Sequence, residues 1–173
     1  GLALLAAAGT NNVTDIVLSS VASVMPISLS IETYGQYAAA TLETYLGHIH
    51  VASTGVAGTS ISGYTVTGAT IDQAYAVLHS AAGIDNAPTG LINHVNLLDT
   101  GRTYISYTDS ALTLGLNEVL TEINNGHIQD KDGNRLDVTV TNVPDVAQGL
   151  ALLAAAGTNN VTDIVLSSVA SVM

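Results

Sequence analysis

The sequence predicts an α/β fold in which tandem β-α-β repeats stack as a solenoid. Residues 1–25 and 149–173 are identical, so the chain is one 148-residue period followed by the start of the next. A finer period lies inside it, because glycines that close predicted helices recur about 37 residues apart on average. Apolar residues also switch repeatedly between period 2 and period 3.6, which is typical of strands alternating with helices. The helix-closing glycines are Gly9, Gly47, Gly83, Gly126 and Gly157.

The two identical segments, here called the N-terminal copy (1–25) and the C-terminal copy (149–173), each predict a helix followed by a strand. The C-terminal copy is preceded by an alternating strand and then by Pro144 and Asp145, residues that favour a helix start. Gly1 would then lie inside a helix. We expect the two copies to share one fold and to mark where the chain continues as a tandem array or docks end to end with other protomers.

The period divides into four repeats. Repeat one (26–63) has a strand at 27–31, a helix from Tyr34 to Gly47 and a strand at 48–51. Repeat two (64–101) has a strand at 64–67, a helix that begins near Thr70 or Asp72, and a strand at 91–98. Repeat three (102–137) has a strand at 104–107 and a helix that carries Leu112 to Ile123. Repeat four begins with residues 138–148. Residues 1–25 form the end of the repeat four that belongs to the preceding period, and they contain a strand at 13–19.

Parallel strands joined by a helix cross over in the right-handed sense, so each repeat can lay its helix on one face of a sheet. A single repeat cannot bury that face alone, which favours stacking into a solenoid. Ferredoxin-like split β-α-β domains are the alternative, because they have the same order of elements. We expect leucines of the helical apolar stripes to pack on the sheet: Leu42, Leu46, Leu78, Leu116, Leu120, Leu150 and Leu153.

Composition narrows the class of protein. Hydrophobic residues make up 47% of the chain, yet it has no Phe, Trp or Cys and seven Tyr, which suits thin, closely stacked elements. The formal charge of −11 repels phosphate backbones, so nucleic-acid binding is not expected. No apolar run reaches the roughly 20 residues that cross a bilayer, so no membrane span is expected.

Residues 130–137 place oxygen-bearing side chains at alternate positions around Gly133, as calcium-binding loops do. The possible calcium ligands are Asp130, Asp132, Asn134 and Asp137. The pattern departs from an EF-hand, because Arg135 stands where glycine is needed and Thr141 where glutamate is needed. A polar turn between two strands explains the same residues without an ion.

His48 and His50 lie two apart in a predicted strand and therefore share a face, a spacing that a transition metal can use. The Gly-His-Ile sequence recurs at 126–128 without a second histidine, so common ancestry of the repeats is the alternative explanation. No nucleophile stands in a catalytic motif and no glycine-rich phosphate loop is present. We therefore predict no catalytic residue, no cofactor-binding residue and no cofactor other than a possible calcium ion; the protein is not expected to be an enzyme.

The Val/Thr strand at 138–143, the Ala/Leu helix up to Gly157 and the strand after Val161 together resemble the repeats of very large secreted bacterial surface proteins. The resemblance implies an extracellular or cell-surface location and a structural role as adhesin, surface layer or fibre, with other copies of the repeat as partner. The residues by themselves favour the function of a structural repeat protein. A calcium-dependent binding or adhesion module is the second function considered, and an enzyme is the third.

Overall fold

The computed structural model describes residues 1–18, 27–53, 56–60, 63–86, 90–108, 115–156 and 161–167. The chain divides into two compact units: the first comprises Gly1–Val66 and Val77–Asn93, and the second Thr67–Ala76 and His94–Met173. Among the described residues the helices are α1 (Leu2–Ala8), α2 (Ile31–Gly35), α3 (Ala39–Gly47), α4 (Ile71–Leu78), α5 (Leu116–Asn124) and α6 (Val146–Ala156). The strands are β1 (Ile16–Leu18), β2 (Ser28–Ser30), β3 (Ile49–Ser53), β4 (Val56–Ser60), β5 (Tyr64–Ala69), β6 (Ile92–Leu97), β7 (Arg102–Ser106), β8 (Ile128–Gln129), β9 (Asp137–Val143) and β10 (Val161–Leu166).

The first unit contains a three-stranded sheet in the order β1-β3-β4. Strand β1 runs parallel to β3, with Ile16 opposite Ile49, and β4 returns antiparallel to β3. Helix α1 packs against α3, whose Leu42 and Leu46 are buried. The Tyr64 hydroxyl donates a hydrogen bond to the Leu46 carbonyl oxygen at 3.3 Å, and burial raises the pKa of that hydroxyl to about 12.

The second unit contains a three-stranded parallel sheet in the order β10-β9-β7. Its central strand β9 has Val138, Val140 and Val143 fully buried, and α6 packs on β9 and β10 and against α5. The Asp145 carboxylate accepts a hydrogen bond from the Gln148 backbone N–H at 2.8 Å, which caps the first turn of α6. In the same unit Val95 of β6 pairs in parallel with Ile128 of β8.

The mixed α/β class with parallel strands is confirmed, whereas stacking of the repeats into a solenoid stays a prediction. The single helix expected between Tyr34 and Gly47 is wrong. Ser30 caps the short α2 by accepting the Thr33 N–H at 3.2 Å, and α3 begins afresh after the extended Ala38. Strand β4 had no counterpart in the sequence prediction, and Leu112 and Gly157 lie outside the described residues.

Gly83 follows α4 in a position that only glycine can fill. A Cβ atom there would lie 2.0 Å from the Leu78 carbonyl oxygen, which is backbone and cannot move aside. The expected leucine stripe is confirmed at Leu42, Leu46, Leu78 and Leu120, which are buried. Leu116 and Leu153 are half-buried. The expectation for Leu150 is wrong, because its side chain is 61% exposed.

Candidate self-association surfaces

The two identical copies form the same elements at equivalent positions. Helix α1 ends at Ala8 and α6 ends at the equivalent Ala156, while β1 and β10 end at the equivalent Leu18 and Leu166. Gly9, immediately after α1, has φ 77° and donates its N–H to the Leu5 carbonyl oxygen, as a helix-ending glycine does. The identical sequence therefore specifies a helix followed by a strand in both places.

The N-terminal copy is covered on one side by α3 and β3. Leu5 of α1 is fully buried, whereas Leu4, one residue earlier, is 53% exposed. An open, mainly apolar pocket of about 360 Å³ lies between this copy and the residues that follow it. Its walls are Gly1, Leu2, Ala3, Leu18, Ile27, Leu29, Thr33, Gln36, Tyr37, Ile49 and Tyr64.

The C-terminal copy is covered on a different side, by α5 and β9. Leu152, the equivalent of Leu4, is 5% exposed, whereas Leu153, the equivalent of Leu5, is only half-buried. A smaller open pocket of about 200 Å³ lies between α6 and β10. It is lined by Val146, Gly149, Leu150, Leu153, Ile164 and Leu166.

Four lining residues of the smaller pocket have equivalents at the larger one or beside it. Gly149, Leu150 and Leu166 are the counterparts of Gly1, Leu2 and Leu18, and Leu153 is the counterpart of the buried Leu5. In the N-terminal copy the remaining walls come from residues 27–64. The described residues supply no such walls to the C-terminal pocket, so Leu150 stays 61% exposed. This face of α6 and β10 is an apolar surface.

The two histidines that the sequence singled out lie against the N-terminal copy. His48 Nδ1 is hydrogen-bonded to the Thr14 carbonyl oxygen, and His50 Nε2 lies 2.8 Å from Asp15 Oδ1. These contacts account for both rings without a metal ion. The sequence could not reveal the partners, which are more than thirty positions away, although Asp15 recurs as Asp163.

Asp163, the equivalent of Asp15, has a different partner. Its Oδ2 accepts a hydrogen bond from Arg102 Nη1 of β7 at 2.9 Å. The same carboxyl group therefore pairs with a histidine in one copy and with an arginine in the other.

Asp130, the first of the possible calcium ligands, is 3% exposed and is already occupied by backbone donors. Its Oδ1 accepts the N–H groups of Asp132 and Asn134 at 2.9 and 2.7 Å, and its Oδ2 accepts the Gly101 N–H at 3.1 Å. Burial by itself raises the pKa of this carboxyl, but these N–H groups stabilise the carboxylate and hold the pKa below its ordinary value.

Asp132 and Asn134 reach the Asp130 carboxylate as hydrogen-bond donors, whereas calcium ligands present oxygen atoms to the ion. Asp132 is exposed, with Oδ1 3.7 Å from Lys131 Nζ, and Asp137 begins β9 opposite Arg102. Asn134 closes the turn, because its carbonyl oxygen accepts the Asp130 N–H at 3.0 Å. The arrangement is that of a polar turn held by one carboxylate; calcium binding at Asp130, Asp132, Asn134 and Asp137 stays a prediction.

A second polar cluster in the second unit contains His94, His127 and Glu122. His127 Nδ1 lies 2.7 Å from Glu122 Oε2, and the rings of His94 and His127 meet edge to face with their centroids 6.5 Å apart. Burial, together with the charge of His127, lowers the pKa of His94. The cluster can respond to pH, but nothing in it resembles a nucleophile with its base.

No protein-family model matches the chain, and neither a curated protein nor a solved structure is detectably similar to it. Among the described residues, no helix has the length and apolar character needed to cross a membrane.

Proposed function

We propose that this chain is a structural, extracellular repeat protein whose copies join end to end, by tandem continuation or by docking of protomers, to form the shaft of a filament, a surface layer or a giant adhesin. One observation carries the proposal. The same 25-residue sequence occurs twice, folds into the same helix and strand, and is covered on one side in the first copy and on another side in the second.

The apolar C-terminal pocket supports self-association rather than small-molecule binding. It offers leucine, isoleucine, valine and glycine side chains and no charged group, so it lacks the few convergent polar groups that orient a ligand. Its counterpart at the N-terminal copy shows which residues fit against such a surface, and those residues belong to this same chain.

Sedimentation velocity over a wide range of concentrations, followed by electron microscopy, tests the proposal. Leu150→Asp should weaken association, because it places a carboxylate on the proposed contact surface. Leu98→Asp is the matched control: Leu98 is 62% exposed, but it lies elsewhere in the second unit. A chain that stays monomeric at every concentration, or a loss of association that is equal for the two variants, would contradict docking between protomers.

Covalent continuation and docking are separated by the mass of the native material under denaturing conditions. A tandem array would be many times 17.6 kDa, whereas docked protomers would run near that mass.

A calcium-dependent binding or adhesion module is the second candidate, since Asp132 has an exposed carboxylate beside the Asp130 turn. Titration calorimetry tests it: saturable calcium binding that Asp132→Ala abolishes would favour this function. The third candidate, an enzyme, would require turnover on a panel of polysaccharides or peptides.

A further inference from the structure

We propose that the C-terminal copy of one chain takes the place of the N-terminal copy in a second chain, so that its α6 and β10 lie against α3 and β3 of the second chain. The inference rests on the proposed end-to-end association and specifies its contacts. It assigns the open face of α6 and β10 as a docking surface whose occupant is a second copy of this chain.

The backbone supports this register, because β1 and β10 are paired through opposite edges. In β1 the Ile16 N–H donates to the His48 carbonyl oxygen at 2.8 Å, so residue 16 faces β3. In the C-terminal copy the Ser167 N–H donates to the Val143 carbonyl oxygen at 2.8 Å, so residue 167 faces β9. Successive N–H groups of a strand face alternate edges, and Ile164, the equivalent of Ile16, therefore faces away from β9.

An irregularity in the pairing of β9 with β10 does not disturb this assignment. Between the pairs Ile164–Val140 and Leu166–Val143, β9 advances by three residues and β10 by two. The extra residue lies in β9, where Asn142 has φ 56°. A second shift, between Val161 and Asp163, places an extra residue in β10, but it precedes Ile164. From Ile164 to Ser167 β10 keeps its alternation, and its second edge can receive β3 of another chain with Val165 opposite His50, as Val17 is in β1.

The helices point to the same arrangement. Leu5 of α1, which packs against α3, is buried, while its equivalent Leu153 is half-buried. Leu152 of α6, which packs against α5 and β9, is buried, while its equivalent Leu4 is exposed. Each copy leaves open the side that the other has covered. One copy held between both sets of neighbours would have both sides covered.

The glycine that the copies share agrees with this. A Cβ at Gly1 would meet Ile49 Cδ1 of β3 at 3.3 Å, whereas a Cβ at Gly149 would meet Ile164 Cγ2 at 3.3 Å and Val143 Cγ1 at 3.9 Å. The missing side chain lets the helix lie close to β3 at Gly1 and to β10 at Gly149.

The aspartate at equivalent positions of the two copies, Asp15 and Asp163, also agrees with a copy held between both sets of neighbours. Asp15 uses Oδ1 to reach His50, and Asp163 uses Oδ2 to reach Arg102. In the exchanged arrangement Asp163 keeps Arg102 of its own chain and presents its other oxygen to His50 of the second chain. The two partners do not compete for one atom.

Exchange is feasible because the acceptor surface of α3 and β3 meets the same 25-residue sequence in either chain. The contacts that the second chain loses when its residues 1–18 leave are replaced by identical ones. Such an interface joins two different surfaces, head to tail, and produces open-ended assemblies when its rotation does not close.

Disulfide trapping tests the register, and the chain has no cysteine of its own to interfere. Facing residues of paired strands lie about 4.7–4.9 Å apart, within the Cα separation that a disulfide spans. Val165→Cys and His50→Cys proteins, mixed and oxidised, should give a mixed dimer that joins those two positions. Val165→Cys mixed with Tyr104→Cys, an exposed position on β7, is the mismatched control. The double variant Val17→Cys/His50→Cys should close within one chain and is the positive control.

Matched substitutions in the two copies test the exchange itself. Leu153→Asp should weaken association at least about tenfold, because it brings a carboxylate to an apolar surface. Leu5→Asp, the same change in the N-terminal copy, should strengthen association, because it loosens the segment that occupies α3 and β3 in the monomer. Circular dichroism of Leu5→Asp/Leu153→Asp, which should be monomeric and folded, separates this effect from general unfolding.

The outcomes are distinct from those that test the proposed function. Assemblies that form in the microscope without the Val165–His50 disulfide, or that Leu5→Asp and Leu153→Asp weaken equally, would overturn the exchange and leave end-to-end association standing. A chain that never associates would overturn both. The specific mixed disulfide, together with opposite effects of the two aspartates, would establish the exchange.

Discussion

Two adjacent leucines in each copy allow one prediction: the substitution that destabilises more should be the second leucine in the N-terminal copy and the first in the C-terminal copy. In the N-terminal copy Leu5 is fully buried and Leu4 is 53% exposed; in the C-terminal copy Leu152 is 5% exposed and Leu153 is half-buried. Replacing each with alanine in turn gives four variants. Because the two copies have the same sequence, helix propensity and side-chain volume are matched between equivalent positions.

The expected magnitudes follow from burial. Truncating a fully buried leucine costs about 2–5 kcal/mol in the free energy of unfolding, so Leu5→Ala and Leu152→Ala should fall in that range. Full burial of a leucine side chain is itself worth about 1.5–3 kcal/mol, so the half-exposed Leu4 and Leu153 should lose about 1 kcal/mol or less. Leu5→Ala should therefore lower the free energy of unfolding more than Leu4→Ala does. Likewise, Leu152→Ala should lower it more than Leu153→Ala does.

Urea unfolding followed by circular dichroism measures these differences, at a concentration where sedimentation finds the monomer. In thermal melts each kcal/mol should move the midpoint by about 2–4 °C for a chain of this size. Equal costs for Leu4→Ala and Leu5→Ala, or a Leu153→Ala cost as large as that of Leu152→Ala, would refute the assignment of opposite covered sides. In associated material the cost of Leu153→Ala should increase, because its side chain becomes covered.

Three further predictions concern individual residues of the second unit. Asp130→Asn should lower the free energy of unfolding at neutral pH by about 1–3 kcal/mol, because the amide offers one oxygen where the carboxylate offers two to the surrounding N–H groups. The pKa of Asp130 in the folded chain lies below the ordinary 3.8. Its contribution to stability is therefore present above pH 3.8 and is lost as the pH falls through the lower folded value. Urea titrations of the variant should lack that part of the acid dependence. The pKa of His94 is also lowered, from 6.5, so the unfolded chain takes up its proton first and stability should fall as the pH drops below 6.5. His94→Gln should flatten the plot of unfolding free energy against pH in that range. An unchanged plot would contradict the shift. Leu120→Ala should destabilise more than Leu116→Ala, because Leu120 is fully buried and Leu116 half-buried; equal melting temperatures would contradict that register of α5.

The sequence could predict the α/β class and the order of most elements, because these depend on local periodicity. The stripe that buries Leu42 and Leu46 in α3 follows from spacing alone. The division between α2 and α3 could not be read in the same way, since it depends on the Ser30 cap and the extended Ala38. Strand β4 pairs antiparallel with β3, and its sequence carries too weak an alternation to stand out.

The candidate surface was partly predictable. Repetition alone predicted which segments would meet another copy, but periodicity placed Leu150 and Leu153 in the core together with Leu42. Periodicity identifies an apolar face without saying what covers it. The contacts of His48 and His50 depend on tertiary proximity to Thr14 and Asp15. The predicted strand face that the two histidines share is wrong, because β3 begins at Ile49 and His48 is the C-cap of α3.

The helix that the copies share is apolar around most of its circumference. Leu-Ala-Leu-Leu-Ala-Ala-Ala has no polar residue at all, and a helix of that kind is stable in water only when neighbours cover it on several sides. Yet Leu4 is exposed in one copy and Leu150 in the other. A helix that served one environment would gain solubility from polar residues on its free face, and neither copy has them there. This composition agrees with the proposed exchange, in which the helix would lie between α5 and β9 of its own chain and α3 and β3 of a second chain.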